Sequence, residues 1–296
     1  MKPTPENTLG LAATTPMDPN GISPPSPTAR ADLRGQILFA GGCHVNGYPV
    51  GEDSSFSELT AQALGFGCLR IGPIGLANTT RLFEYLNNNP RPEIAVLQFG
   101  NYEVPRPLAK HARAVFDAAF AGIHVPHLSH STSKRPWLSF PPEHVFTPTP
   151  SWRSRVLLKQ AYATLAQHLH PPLFDANAVR LSLRTLLTQL ATFNIPRTVV
   201  LSPLPCADHM ARSFRIAAAP IFREESAAAG LLYLDTASAL GYRARRTRRS
   251  FEIYADERHL NLDGHLLLAH ALTDILHPLL PPQTQAPIAE QDLTAK

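Results

Sequence analysis

Five short runs of nearly unbroken apolar residues, Gln36-ILFAG, Cys68-LRIG, Glu93-IAVLQFG, Arg197-TVVLSPLP and Leu231-LYLD, constrain the fold more than any other feature of the chain. A strand wetted on one face alternates apolar and polar side chains, whereas a strand covered on both faces does not. The runs therefore predict a parallel sheet sandwiched between helices. Amphipathic patterns at about 54–64, 79–88, 152–169, 176–193, 210–229 and 262–278 supply those helices, and the alternation predicts an α/β fold. The expected architecture is a three-layer α/β/α sandwich on a mainly parallel five-stranded sheet.

With 296 residues, 44% of them hydrophobic, the chain can bury one large core. A single domain is expected over 34–280, flanked by tails at 1–33 and 281–296 that are rich in Pro, Thr, Ser and Gln and carry no sustained apolar period. The stretch 105–150 breaks the strand–helix rhythm with prolines and histidines and is too long for an ordinary connection. It reads either as a surface excursion or as a loop covering a substrate, since it follows the third strand at the edge where such sheets bind ligands.

The net charge of +4 owes much to one run, Arg243 to Arg249. Elsewhere the charges are mixed, so no nucleic-acid partner is expected. The arginine run reads as a solvated loop, with a clamp for an acidic substrate or a membrane surface as its alternative. No apolar stretch reads as a secretory signal or a transmembrane span, and a soluble cytoplasmic protein is the expectation. Cys43, Cys68 and Cys206 cannot all pair, and none lies in a closely spaced ligand set. The triplet His124, His127 and His130 invites a metal, but its segment is interrupted by proline and lacks an acidic or cysteine partner at a recognised spacing. Neither a metal nor another cofactor is expected.

Two segments carry the chemistry. The first strand ends in Gly41-Gly42-Cys43-His44-Val45-Asn46-Gly47, and the last helix is preceded by Asp256-Glu257-Arg258-His259-Leu260-Asn261-Leu262-Asp263-Gly264. A glycine turn at a strand's end can expose the next side chain to a ligand. Asp and His three residues apart can pair locally, the carboxylate fixing the tautomer and leaving the other ring nitrogen to act as base. Together these segments supply a nucleophile, a base and an orienter.

In this arrangement the chain resembles the SGNH/GDSL hydrolase superfamily, whose members carry a Gly-Asp-Ser turn after the first strand and an Asp-x-x-His segment before the last helix. Asp256-x-x-His259-Leu-Asn-x-x-Gly264 matches the second block, while Gly42 and Cys43 stand where the first has Asp and Ser. The resemblance runs over nearly all of 36–280 and implies a flavodoxin-like sandwich with a catalytic domain acting on esters. By the same resemblance Cys43 is the nucleophile, His259 the base and Asp256 its orienter. It gives oxyanion roles to Gly75, within Ile71-GPIGLANTT, and to Asn101, within Gly100-Asn101-Tyr102-Glu103, although a strict count would choose Tyr102.

Plainer roles stand beside these. Cys68 and Cys206 read as small buried hydrophobes, Asp256 could be a helix cap, and Gly75 and Asn101 could serve local backbone needs. His44, next to Cys43, is explained equally by solvent exposure or a backbone hydrogen bond. Three functions remain open: an esterase acting on a small-molecule or carbohydrate ester through an acyl-cysteine, an O-acyltransferase using the same intermediate, and a catalytically silent binding protein on the same fold.

Overall fold

The computed structural model of the chain describes residues 22–23, 35–101, 103, 141, 144–150, 153, 157, 175–241 and 251–281. The tails apart from Ile22, Ser23 and Pro281, most of the 105–150 stretch including His124, His127 and His130, Tyr102, nearly all of the helix expected at 152–169 and the Arg243–Arg249 run lie outside the described residues.

All five apolar runs form strands: β2 (Gln36–Gly41), β3 (Gly67–Ile71), β4 (Ile94–Gln98), β5 (Arg197–Leu201) and β6 (Leu232–Leu234). They pair in parallel in the order β3-β2-β4-β5-β6. A sixth strand, β1 (Ile22–Ser23), lies in the stretch read as a tail and pairs antiparallel with Ile71 and Arg70 at the edge. Two residues are too few to show a period, so the sequence carries no signal for it.

Successive side chains of a strand point to opposite faces, and here both faces are dry. On one face Ile37, Phe39, Ile94, Val96, Val199 and Leu201 pack with residues of α1 (Phe56–Leu64) and α6 (Leu262–Leu276). On the other Leu38, Ala40, Leu69, Leu97 and Val200 meet α2 (Thr80–Asn88), α3 (Ala176–Ala191) and α4 (His209–Ala228). A short helix, α5 (Thr236–Ala239), follows β6. The three layers explain why the runs do not alternate: an apolar partner waits on each side.

The chain leaves β2 toward β3 on one flank and then crosses to β4 on the other. That reversal makes a topological switch point at the carboxyl ends of β2 and β4, the place where open α/β sheets hold their ligands. Gly41, the last residue of β2, is in register with Gln98, the last of β4. A Cβ at Gly41 would run into the Gln98 carbonyl oxygen, so the two strand ends close together only with glycine there.

Candidate active site

The turn after β2 is a short 3-10 helix, Cys43–Asn46, that begins at Gly42 and is closed by Gly47 in the left-handed conformation, φ 74°. It is tied down from the end of β4 and from the residue that follows β3. The Gly42 N–H donates to the Gln98 side-chain oxygen at 3.2 Å, and the Asn46 amide donates to the Gly72 carbonyl at 3.0 Å. Cys43 is thereby fixed at the switch point, 8% exposed. Gln98 is the one polar residue in the run Ile94–Gln98, and a polar side chain ending a buried strand was the signal that could have marked it.

The segment before α6 doubles back on itself, Tyr254 bridging Leu260 and the Ala255 N–H donating to the His259 carbonyl at 2.9 Å. This brings Asp256 onto His259, with Nδ1 lying 2.8 Å from Oδ2 and 3.0 Å from Oδ1. Asp256 is not the cap of α6. That place belongs to Asn261, whose side-chain oxygen accepts from the Gly264 N–H at 3.1 Å. Burial works against charge on Asp256, but hydrogen bonds from His259 and from two backbone N–H groups hold its carboxyl below the usual range. Burial also opposes charge on His259, yet hydrogen bonds to Asp256 and to Cys43, with the negative charges of both, push the imidazole up to about 9. The two distant segments therefore meet: the imidazole lies between the carboxylate and the thiol. Tyr48 stands edge-on to the same ring, 4.7 Å between centroids.

The other cysteines sit in the core, where burial raises the thiol of Cys68 to about 12 and raises that of Cys206 as well. His44 is 2% exposed, which removes the solvent-exposed reading. Its Nε2 accepts the Leu260 N–H at 3.3 Å, and its Nδ1 is 3.8 Å from the Cys43 sulfur. Ser55 is occupied as the cap of α1, accepting from the Glu58 N–H at 3.1 Å and bonded to the Ser57 hydroxyl at 2.8 Å.

Asn101 is held by two hydrogen bonds, and the groups that make them are bonded to each other. Its side-chain oxygen accepts from the Leu204 N–H at 2.8 Å, its carbonyl accepts from Arg215 at 3.0 Å, and Arg215 also donates to the Leu204 carbonyl at 2.9 Å. The Asn101 amide nitrogen is buried and finds no partner among the described residues. A buried donor left unpaired costs about 1–3 kcal/mol unless something else takes it up. Gly75 lies in the loop after β3 between two anchored neighbours, the Ile74 N–H bonded to the Gly41 carbonyl at 2.8 Å and the Leu76 N–H to Glu103 at 2.7 Å. The second oxygen of Glu103 accepts from the Gly100 N–H at 2.9 Å, so this carboxylate fastens the Gly75 loop to the Asn101 turn. In the sequence Glu103 only closes the run Gly100-Asn101-Tyr102-Glu103, and its place two residues beyond Asn101 was the available clue. Among the described residues, no group of three or more His, Cys, Asp or Glu side chains is arranged to hold a metal ion. None of the helices described is long and apolar enough to cross a membrane.

No protein-family model matches the chain, and no curated protein matches it. Solved structures do share its fold. One is a member of the lipolytic protein G-D-S-L family from Veillonella parvula, 10% identical with a TM-score of 0.50, the match covering 82% of this chain and 98% of that one. Another is a single-residue variant of an acetyl-xylooligosaccharide esterase from Geobacillus stearothermophilus, 11% identical with a TM-score of 0.50, covering 86% of this chain and 98% of that one. At such identity the likeness speaks for the fold. The α/β sandwich expected from the apolar runs is the fold of these hydrolases.

Proposed function

We propose that the chain is an acyl-ester hydrolase in which Cys43, His259 and Asp256 act as a triad through an acyl-enzyme. The observation that carries this reading is the placement of one imidazole: His259 gives Nδ1–H to Asp256, and the same side chain is hydrogen-bonded to Cys43. A cationic imidazole beside a thiol favours the thiolate, the reactive form. In this reading the proton rests on His259 at neutral pH, in line with the raised position of that imidazole.

The Cys43 thiolate attacks the ester carbonyl and forms the S–C bond, and the carbonyl electrons move onto oxygen. That oxyanion is taken by the Asn101 amide and by the backbone N–H groups of Cys43 and Gly75, each donor worth about a hundred- to a thousandfold in rate. As the tetrahedral intermediate collapses, the C–O bond breaks and the His259 proton passes to the departing alcohol. The thioester that remains carries no charge on sulfur. Two of the influences raising His259, its bond to the thiolate and the thiolate's charge, are then gone. The imidazole becomes a base able to take a proton from water, which cleaves the thioester and restores the thiolate.

The substrate proposed is an ester of a small molecule or a carbohydrate, the latter by the fold shared with an acetyl-xylooligosaccharide esterase. Transfer of the acyl group to an alcohol is the second reading, favoured by the burial of Cys43, 8% exposed, which limits water at the thioester. The test is intact-mass analysis after exposure to a panel of activated esters and thioesters, followed by peptide mapping. Acylation at Cys43 is expected, and added acceptor alcohols then separate transfer from hydrolysis. Tight ligand binding with no mass shift from any acyl donor would replace the enzyme by a silent binding protein.

A further inference from the structure

Two imidazoles, not one, approach the sulfur of Cys43. His259 is bonded to it, and His44 places Nδ1 3.8 Å away, with 5.3 Å between the two ring centroids. The partner of Nε2 decides what His44 can do there. The Leu260 backbone N–H points at Nε2 from 3.3 Å and can only donate, so Nε2 must carry the lone pair. A neutral ring with its lone pair on Nε2 carries its hydrogen on Nδ1. His44 therefore cannot take a proton from Cys43 without setting an N–H against the Leu260 N–H.

We infer that His44 is a dedicated hydrogen-bond donor to the Cys43 thiolate, its tautomer set by Leu260, while His259 alone handles the proton. This rests on the reading of Cys43 as the reactive group. The distance fits sulfur and not oxygen: N–H···O bonds fall at about 2.7–3.2 Å. The spacing therefore suits a sulfur acceptor. A serine at this position would leave the Nδ1–H of His44 without an acceptor.

The groups around His44 support the assignment. His259 lies on one side and His265 of α6 on the other, its centroid 6.0 Å away, and Arg215 of α4 is the further charge that acts on the ring. Burial first, then the positive charge of His259, holds His44 well below the usual imidazole range, so it stays a neutral donor while His259 is cationic. His265 is neutral too: burial lowers it to about 3, and its Nδ1 accepts the Phe56 N–H at 3.0 Å.

The experiment follows the pH midpoint at which iodoacetamide alkylates Cys43, read by peptide mass spectrometry, in wild type, His44→Phe and His44→Asn. Phe fills the space without a donor, whereas Asn restores an N–H close to the Nδ1 position. The Phe variant should move the midpoint up by about one to two pH units, and Asn should recover most of that shift. A folded Phe variant with the wild-type midpoint, or an Asn variant no better than Phe, overturns the inference. Nitrogen-15 NMR of the unaltered protein gives an independent reading should either variant fail to fold. A His44 ring protonated at Nδ1 is expected, and one protonated at Nε2 overturns the inference. Neither measurement uses an ester. A chain that no acyl donor modifies would sink the esterase reading and leave the thiolate result standing, while acylation by esters with an unmoved midpoint would do the reverse.

Discussion

Asp256 holds His259 with both oxygens, Oδ2 at 2.8 Å and Oδ1 at 3.0 Å from Nδ1, and Oδ1 also accepts the backbone N–H groups of Arg258 at 2.7 Å and His259 at 2.8 Å. The carboxylate that orients the imidazole is thus itself oriented by the turn carrying that imidazole. Sequence separation of three residues is what makes this self-contained device work.

Removing His259 should abolish acyl transfer and spare the fold, because the role proposed for the ring is to carry a proton and its side chain is 18% exposed. For His259→Ala a fall of at least about a hundredfold in acyl-enzyme formation is expected, with cooperative thermal unfolding retained. Asp256→Asn should cost less, yet still about tenfold or more, since the imidazole loses orientation and charge stabilisation. Turnover of His259→Ala within tenfold of wild type would exclude it as the proton carrier.

The position of His259 at about 9 sets a pH signature. Its folded value lies above the ordinary 6.5, so the imidazolium persists through neutral pH and is lost only as pH rises through about 9. Ester cleavage needs that proton for the leaving alcohol, whereas alkylation by iodoacetamide, which expels iodide, does not. The rate of acylation by an alkyl ester should therefore fall on the alkaline side near pH 9, while Cys43 alkylation keeps a plateau there. Matching alkaline limbs in both profiles would show that the limb reports unfolding or another group.

Glu103 joins the Gly75 loop to the Asn101 turn, and a Cβ on Gly75 would lie 2.5 Å from its Oε1. Gly75→Ala should push the carboxylate off the Leu76 N–H and loosen both loops of the proposed oxyanion site together. Glu103→Gln should act in the same direction, because its amide nitrogen would face an N–H in place of accepting one. Each is expected to lower acylation by about ten- to a hundredfold, and to lower the melting temperature by no more than about 5 °C. An unaltered acylation rate in both variants would remove this carboxylate from the account of the site.

What the sequence made legible follows from which interactions are local or periodic. The strands announced themselves because Ile37 and Phe39 face one apolar layer and Leu38 and Ala40 the other, leaving no polar position to interrupt the run. The Asp256–His259 pair was legible because its members share one turn. Glu103 and His44 were not, since Glu103 reaches past the nearby Gly100 to Leu76, 27 residues away, and His44 reaches Leu260, 216 away, and no spacing encodes such distant meetings. The two-residue strand β1 was invisible for a different reason, being too short to carry any pattern.

The last prediction concerns which atom attacks. Cys68 and Cys206 are buried thiols whose surroundings raise them, Cys68 to about 12, so neither presents a thiolate at neutral pH. Cys43 is little more exposed than Cys68, 8% against 7%, so exposure alone does not separate them. What separates them is company: Cys43 is hydrogen-bonded to an imidazole raised to about 9, while burial is the largest influence on Cys68. Peptide mapping after iodoacetamide at neutral pH should find Cys43 alkylated at least about tenfold faster than the other two. Cys43→Ala should then lose acyl-enzyme formation completely. Cys43→Ser should retain a small fraction, because the Asn101 amide and the His259–Asp256 pair remain, yet it should be the slower enzyme, since a hydroxyl is far harder to ionise than a thiol. Ser55 offers no substitute, its hydroxyl being committed to the start of α1. Full activity in Cys43→Ala, or ester turnover by a folded protein whose Cys43 resists alkylation, would move the nucleophile to another residue.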